Sequence, residues 1–199
     1  ILIKVNYSSA YNNLANAQKQ KGQLDKSIAN YKEAIRFNND HTDAYSNLGV
    51  VLSEQGKFEE AIEQFRKALH LNPNLFLVHN NMGTLLNQQG NIADAIFHYQ
   101  QAITLYPKFA KAHNNLGSAL KDLRRSKEAA KCYEKAILIN PDYAEAYCNL
   151  GSIYNDKKDR LNALKCYKKA LEIKPDADFL LGDILNAKMN MCQWENLQG

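Results

Sequence analysis

Residues 42–75 read TDAYSNLGVVLSEQGKFEEAIEQFRKALHLNPNL. Tyr45, Leu48, Gly49 and Leu52 fall at helical spacing, and after Gln55-Gly56-Lys57 so do Ala61, Phe65, Ala68 and Leu69. The spacing predicts two amphipathic helices joined as a hairpin. Pro73 closes the second, because it has no N–H to donate and turns its predecessor out of the α region. Gly49 inside the first helix costs about 1 kcal/mol relative to Ala. The partner helix is therefore expected to come too close there for a side chain. A lone hairpin of this size cannot bury both apolar stripes, so it has to stack on copies of itself.

The copies are in the chain. All four prolines (Pro73, Pro107, Pro141, Pro175) lie 34 residues apart. Gly49, Gly83, Gly117 and Gly151 keep the same interval, and so do Gly22, Gly56 and Gly90. Every proline and seven of nine glycines thus obey one period, which identifies a repeat array. Five whole units result: 8–41, 42–75, 76–109, 110–143 and 144–177. The first is the weakest, with Gln18 at an apolar slot and Asn39 where the others carry proline. In the last two the inter-helix turn loses its glycine to Arg124 and Lys158, where a positive φ would be strained. Residues 1–7 are expected to be the end of a preceding, truncated repeat. Beyond Pro175 the period fails, and residues 178–199 are expected to form a capping helix through Phe179, Leu181, Ile184 and Met189, or a junction to a further domain.

Composition sets outer bounds. With 199 residues and 45% hydrophobic content the chain could hold one or two ordinary domains, but the period argues for one elongated solenoid. The net charge of +4 is small and its basic residues are interspersed with acids, which gives no footprint for nucleic acid. No apolar run approaches the roughly 20 residues of a membrane span, and no signal-peptide layout opens the chain. Cys132, Cys148, Cys166 and Cys192 show no CxxC spacing, so buried thiols in a reducing, cytoplasmic setting are expected rather than disulfides or zinc ligands.

The 34-residue unit resembles the tetratricopeptide repeat (TPR), whose pattern carries large, Leu, Gly/Ala, Tyr/Leu, Ala, aromatic, Ala and Pro residues in these slots. The resemblance covers residues 8–177 and implies an all-α, right-handed superhelix whose first helices line a concave groove. The tail, from Leu181-Gly182 through Lys188-Met189 to Cys192-Gln193-Trp194, is similar to the junction between repeats and catalytic domain in O-linked N-acetylglucosamine transferases and SPINDLY-like proteins, although Gln193 stands where that family has Asp. The likeness implies that a full-length protein is a glycosyltransferase whose catalytic region follows Gly199.

Chemistry within residues 1–199 has no visible home. His79 and His113 occupy an aromatic packing slot and His41, His70 and His98 are scattered. No Ser, Cys or carboxylate constellation accompanies them, and every patterned glycine belongs to the repeat. Neither a catalytic site, a cofactor nor a metal is expected. One position does recur, the sixth of every unit: Asn13, Asn47, Asn81, Asn115 and Asn149. An amide offers a donor and an acceptor, so it can pair with a peptide C=O and N–H without reading the side chain. Helices about 10 Å apart and a peptide rising about 3.3 Å per residue bring one amide to about every third residue. Asn80 and Asn114, just before two of these residues, are expected to share the groove. The transferase resemblance implies the same use, a ladder of asparagines holding protein substrate. The expected function is therefore a protein-interaction module for extended polypeptide. The rival is a free-standing scaffold or adaptor assembling a complex.

Overall fold

The computed structural model describes residues 7–176 together with 182, 184, 187 and 189. Ten α-helices and no strand occur among the described residues: α1 (Tyr7–Gln20), α2 (Leu24–Phe37), α3 (Thr42–Glu54), α4 (Phe58–Leu71), α5 (Phe76–Gln88), α6 (Ile92–Leu105), α7 (Ala110–Asp122), α8 (Ser126–Ile139), α9 (Ala144–Asp156) and α10 (Arg160–Ile173). The chain divides between Leu105 and Tyr106 into two compact units, the first holding α1 to α6 and the second α7 to α10. Consecutive helices pair as hairpins, and within each unit one hairpin packs on the next, α2 on α3, α4 on α5 and α8 on α9. The fold is the all-α helical repeat that the period predicts.

One contact recurs inside the hairpins. A Cβ placed on Gly49 would lie 2.6 Å from the Phe65 ring, on Gly83 2.8 Å from Tyr99, on Gly117 2.6 Å from Tyr133 and on Gly151 2.7 Å from Tyr167. The ring of the second helix lies on the bare backbone of the first, which is the close approach expected at Gly49. In the first hairpin Ala15 takes that place, with Tyr31 at the ring position, both fully buried, so one methyl is tolerated there. The ring's polar end is matched as well. Tyr31 Oη donates to Asn16 Oδ1 (2.5 Å), Tyr133 to Ser118 Oγ (3.3 Å) and Tyr99 to Thr84 Oγ1 (3.4 Å). Where the ring is Phe65, the residue fifteen positions earlier is Val50. A buried hydroxyl needs a partner and a phenyl edge needs none, so the two positions change together.

The turns between paired helices share one hydrogen-bond pattern. Lys57 N donates to Leu52 O (2.9 Å) and Gly56 N to Ser53 O (3.0 Å); Arg125 N to Leu120 O (2.9 Å) and Arg124 N to Lys121 O (2.8 Å) repeat it. This helix ending puts one residue in the left-handed region. Gly56 holds φ +76° without cost, whereas Arg124 and Lys158 are forced to +59° and +62°. After Lys158 the next helix start is reinforced: Asp159 Oδ1 accepts from Asn162 N at 3.2 Å. Second helices end on asparagines as well as prolines. The side-chain oxygens of Asn38, Asn72 and Asn140 accept from the N–H two residues on (3.0–3.1 Å), which turns the chain before the next helix.

Of the residues expected to cap the array, Ile184 is buried against Ala144, Ala163, Leu164, Tyr167 and Ala170 of α9 and α10. Ala187 is buried too. Met189, expected at the same contact, is instead 62% exposed. Ile184 and Ala187 lie three apart on one helical face, and Met189, two residues further, turns away from it. Phe179 and Leu181 lie outside the described residues, as do residues 1–6 and the tail through Trp194.

Candidate functional site

The sixth residues of the units sit on first helices, Asn13 on α1, Asn47 on α3 and Asn81 on α5 in the first unit, Asn115 on α7 and Asn149 on α9 in the second. Asn13 is exposed and the other four are half-buried. The asparagines one position earlier behave differently. Asn12 and Asn114 are 8% and 7% exposed, and Asn80 only 1%. Asn80 and Asn114, expected beside the ladder, are therefore not available as surface contacts. A helix turns about 100° per residue, which is enough to carry one asparagine of the pair inward while its neighbour stays accessible.

The buried members have a task of their own. Asn149 Nδ2 donates to Asn114 Oδ1 at 3.0 Å, and Asn47 Nδ2 donates to Asn12 Oδ1 at 3.3 Å and Asn16 Oδ1 at 3.4 Å. Each bond links the first helices of successive hairpins within one unit. A buried amide left unpaired would cost about 1–3 kcal/mol, and the next hairpin supplies the partner. The bond also fixes which way the half-buried amide faces: Asn149 keeps its oxygen and second N–H for a ligand, whereas Asn47, whose Nδ2 serves both Asn12 and Asn16, keeps its oxygen. Asn81 is placed differently: the residue at the equivalent earlier position is Ser46, and no described residue ties the Asn81 amide.

In the first unit these amides border an open cavity of 370 Å³. One wall is polar, made by Asn12, Asn16 and Asn47. The other is apolar, made by Leu75, Phe76 and Leu77 where the chain enters α5. Lys19 Nζ lies 2.9 Å from Glu54 Oε1, which pairs these two charges, while Asp43 lines the cavity as an exposed acid. On the second unit Lys121 Nζ donates to Ser152 Oγ at 2.7 Å, which pins its ammonium to the neighbouring first helix.

The buried histidines are structural. His113 Nε2 donates to Pro107 O (2.9 Å) and His79 Nε2 to Pro73 O (3.1 Å), each holding the turn that leads into its own helix. A carbonyl only accepts, so neutral His79 carries its proton on Nε2 and presents a bare Nδ1. His98 Nδ1 lies 3.0 Å away and donates to it. Burial first, and then the His79 ring, push the His98 imidazole down to about 4, against the opposing pull of Asp94. Burial also lowers His79. Burial raises the Cys166 thiol to about 11 and Cys132 in the same direction, which leaves them poor nucleophiles. Among the described residues no group of His, Cys, Asp or Glu is placed to hold a metal ion, and no helix is long and apolar enough to cross a membrane.

The family model of the tetratricopeptide repeat matches residues 42–75, 110–143 and 144–177, and a second, described as TPR repeat, matches 15–56 and 83–123. A comparison with curated proteins gives no match. Among solved structures, the crystal structure of MamA protein is 27% identical with a TM-score of 0.73, over 85% of this chain and 92% of that one. YrrB, described as a TPR protein with an unusual peptide-binding site, is 26% identical with a TM-score of 0.69, over 87% and 89%. PilF of Pseudomonas aeruginosa, at 21% identity, TM-score 0.78 and coverage of 96% and 91%, shares the fold. With its 34-residue period, its helix hairpins and these matched segments, the chain belongs to the tetratricopeptide repeat family.

Proposed function

We propose that this chain is a protein-interaction module that holds extended polypeptide by its backbone on the sixth-position asparagines. The observation that carries the reading is the pair of amide bridges, Asn47 to Asn12 and Asn149 to Asn114. They orient amides on the accessible face before any ligand arrives, which lowers the cost of binding. In the first unit Asn13, Asn47 and Asn81 stand on successive first helices, and in the second Asn115 and Asn149 do so. The reading is made for each unit by itself. Likeness to YrrB, whose description names a peptide-binding site, supports it. The half-buried thiols of Cys132 and Cys166 fit a reducing, cytoplasmic residence, which is part of the proposal.

The test is a series of capped peptides in which single backbone nitrogens are methylated. Methylation removes one N–H without touching side chains, so a backbone reader should lose affinity at about every third residue, in peptides of unrelated sequence, with little effect of salt. A reader of side chains would ignore the methyl groups, and that result would end the proposal.

Two settings are open to such a module. One is a free-standing scaffold or adaptor that assembles a complex. The alternative, substrate recognition for a SPINDLY-like glycosyltransferase, rests on the likeness of residues 181–194 to that family's junction. The reading frame after Gly199 separates the two: a long α/β region supports the transferase, and a stop codon the scaffold.

A further inference from the structure

The cavity at the entry of α5 has two unlike walls, and Leu77 of the apolar one is not required by the fold. Leu77 is 53% exposed. The equivalent position carries Ser9, Asp43, Lys111 and Glu145 in the other repeats, so the fold does not require an apolar side chain at this place. Leu77 also lies four residues before Asn81, one turn earlier on the same face of α5. A chain passing from Asn47 to Asn81 therefore runs beside it.

We propose that this cavity is a side-chain pocket taking one aliphatic residue of the extended peptide. The inference rests on the backbone reading above and adds selectivity at one position. An extended chain sends successive side chains to opposite faces while its N–H and C=O groups point along the sheet plane. With the backbone on the Asn47 amide, one side chain turns toward Leu75, Phe76 and Leu77, which line the facing wall. A cavity of 370 Å³ accepts a Leu, Ile or Val side chain and the backbone beside it. The polar wall cannot close over that side chain, because Asn47 Nδ2 is already committed to Asn12 and Asn16. Asp43 also lines the cavity and is exposed, so the residue flanking the aliphatic one is neutral or basic. An acidic flank would face a like charge.

The experiment uses the full chain and three dye-labelled, capped peptides of Thr and Ala that differ only at the centre: Leu, Ser, or Leu beside Glu. Fluorescence anisotropy is expected to show the Leu peptide binding on the order of 10-fold tighter than the Ser peptide, the effect of one buried aliphatic side chain. The Leu-Glu peptide should lose most of that gain. Leu77→Ser should bring Leu and Ser peptides to equal affinity, and Leu77→Met should keep the preference. Since Leu77 is exposed, both variants should melt as the wild type does. Equal wild-type affinity for the Leu and Ser peptides, or a preference untouched by Leu77→Ser, would overturn the pocket and leave the backbone reading standing. If none of the peptides binds wild type, the backbone reading fails first and the pocket falls with it.

Discussion

At the scale of single residues, each position of the repeat is decided by what lies opposite it. Gly117 is fixed by a ring, since a Cβ there would meet Tyr133 at 2.6 Å. Replacing it with Leu should destabilise the protein by a few kcal/mol, because overpacking of this kind forces the backbone apart. Gly117→Ala should cost less, as Ala15 already takes that place in the first hairpin, with Tyr31 at the ring position. Thermal melts of the two variants check the order, and a wild-type melting temperature for Gly117→Leu would remove the close-packing argument. Arg124 and Lys158 invert the case. Each is held at positive φ, which costs a residue with a side chain about 1 kcal/mol. Arg124→Gly and Lys158→Gly should each stabilise by about that amount, and denaturant melts showing a loss instead would mean these side chains hold something the turn needs. Such positions were legible in the sequence because they repeat: a glycine or its absence at a fixed interval announces the contact. The partner of Asn47 was not. Asn12 lies 35 residues away, and adjacent asparagines look alike on paper until one is seen to be buried and the other not.

At the scale of elements, hairpin pairing was readable from period and punctuation, whereas links between hairpins were not. The Asn114 to Asn149 bridge joins successive hairpins, and the His79 to His98 pair joins the two helices of one hairpin, through side chains whose neighbours no local pattern encodes. The histidine pair gives the first unit a definite pH response. Both folded values lie below the unfolded value of about 6.5, so protonation favours unfolding. The stability is present above about pH 6.5 and is lost as pH falls toward about 4, the folded value of His98. Asp94 and Arg66 act on His98 in opposite senses. Melting temperature measured from pH 7 to 4.5 should therefore fall in wild type and fall less in His98→Gln. Parallel curves for the two proteins would show that the pair carries no such coupling.

At the scale of the molecule, a uniform 34-residue period runs through a chain whose packing divides between Leu105 and Tyr106. Periodicity records what each repeat is made of and says little of how firmly successive repeats hold. Past the last repeat, Ile184 lies on Ala163, Leu164 and Tyr167. Ile184→Asp should lower the melting temperature and promote self-association through the uncovered apolar face. A variant as stable and monomeric as wild type would make that contact incidental. The ladder itself is best tried where nothing else depends on it. Asn47 and Asn149 also bridge hairpins, so their loss mixes binding with stability. Asn81 is half-buried and tied to no described residue. The decisive measurement is peptide affinity by calorimetry together with melting temperature for Asn81→Ala. The account predicts affinity weaker by about 1 kcal/mol, the net worth of a hydrogen bond, equally for peptides of different sequence, at an unchanged melting temperature. Unchanged affinity would contradict it.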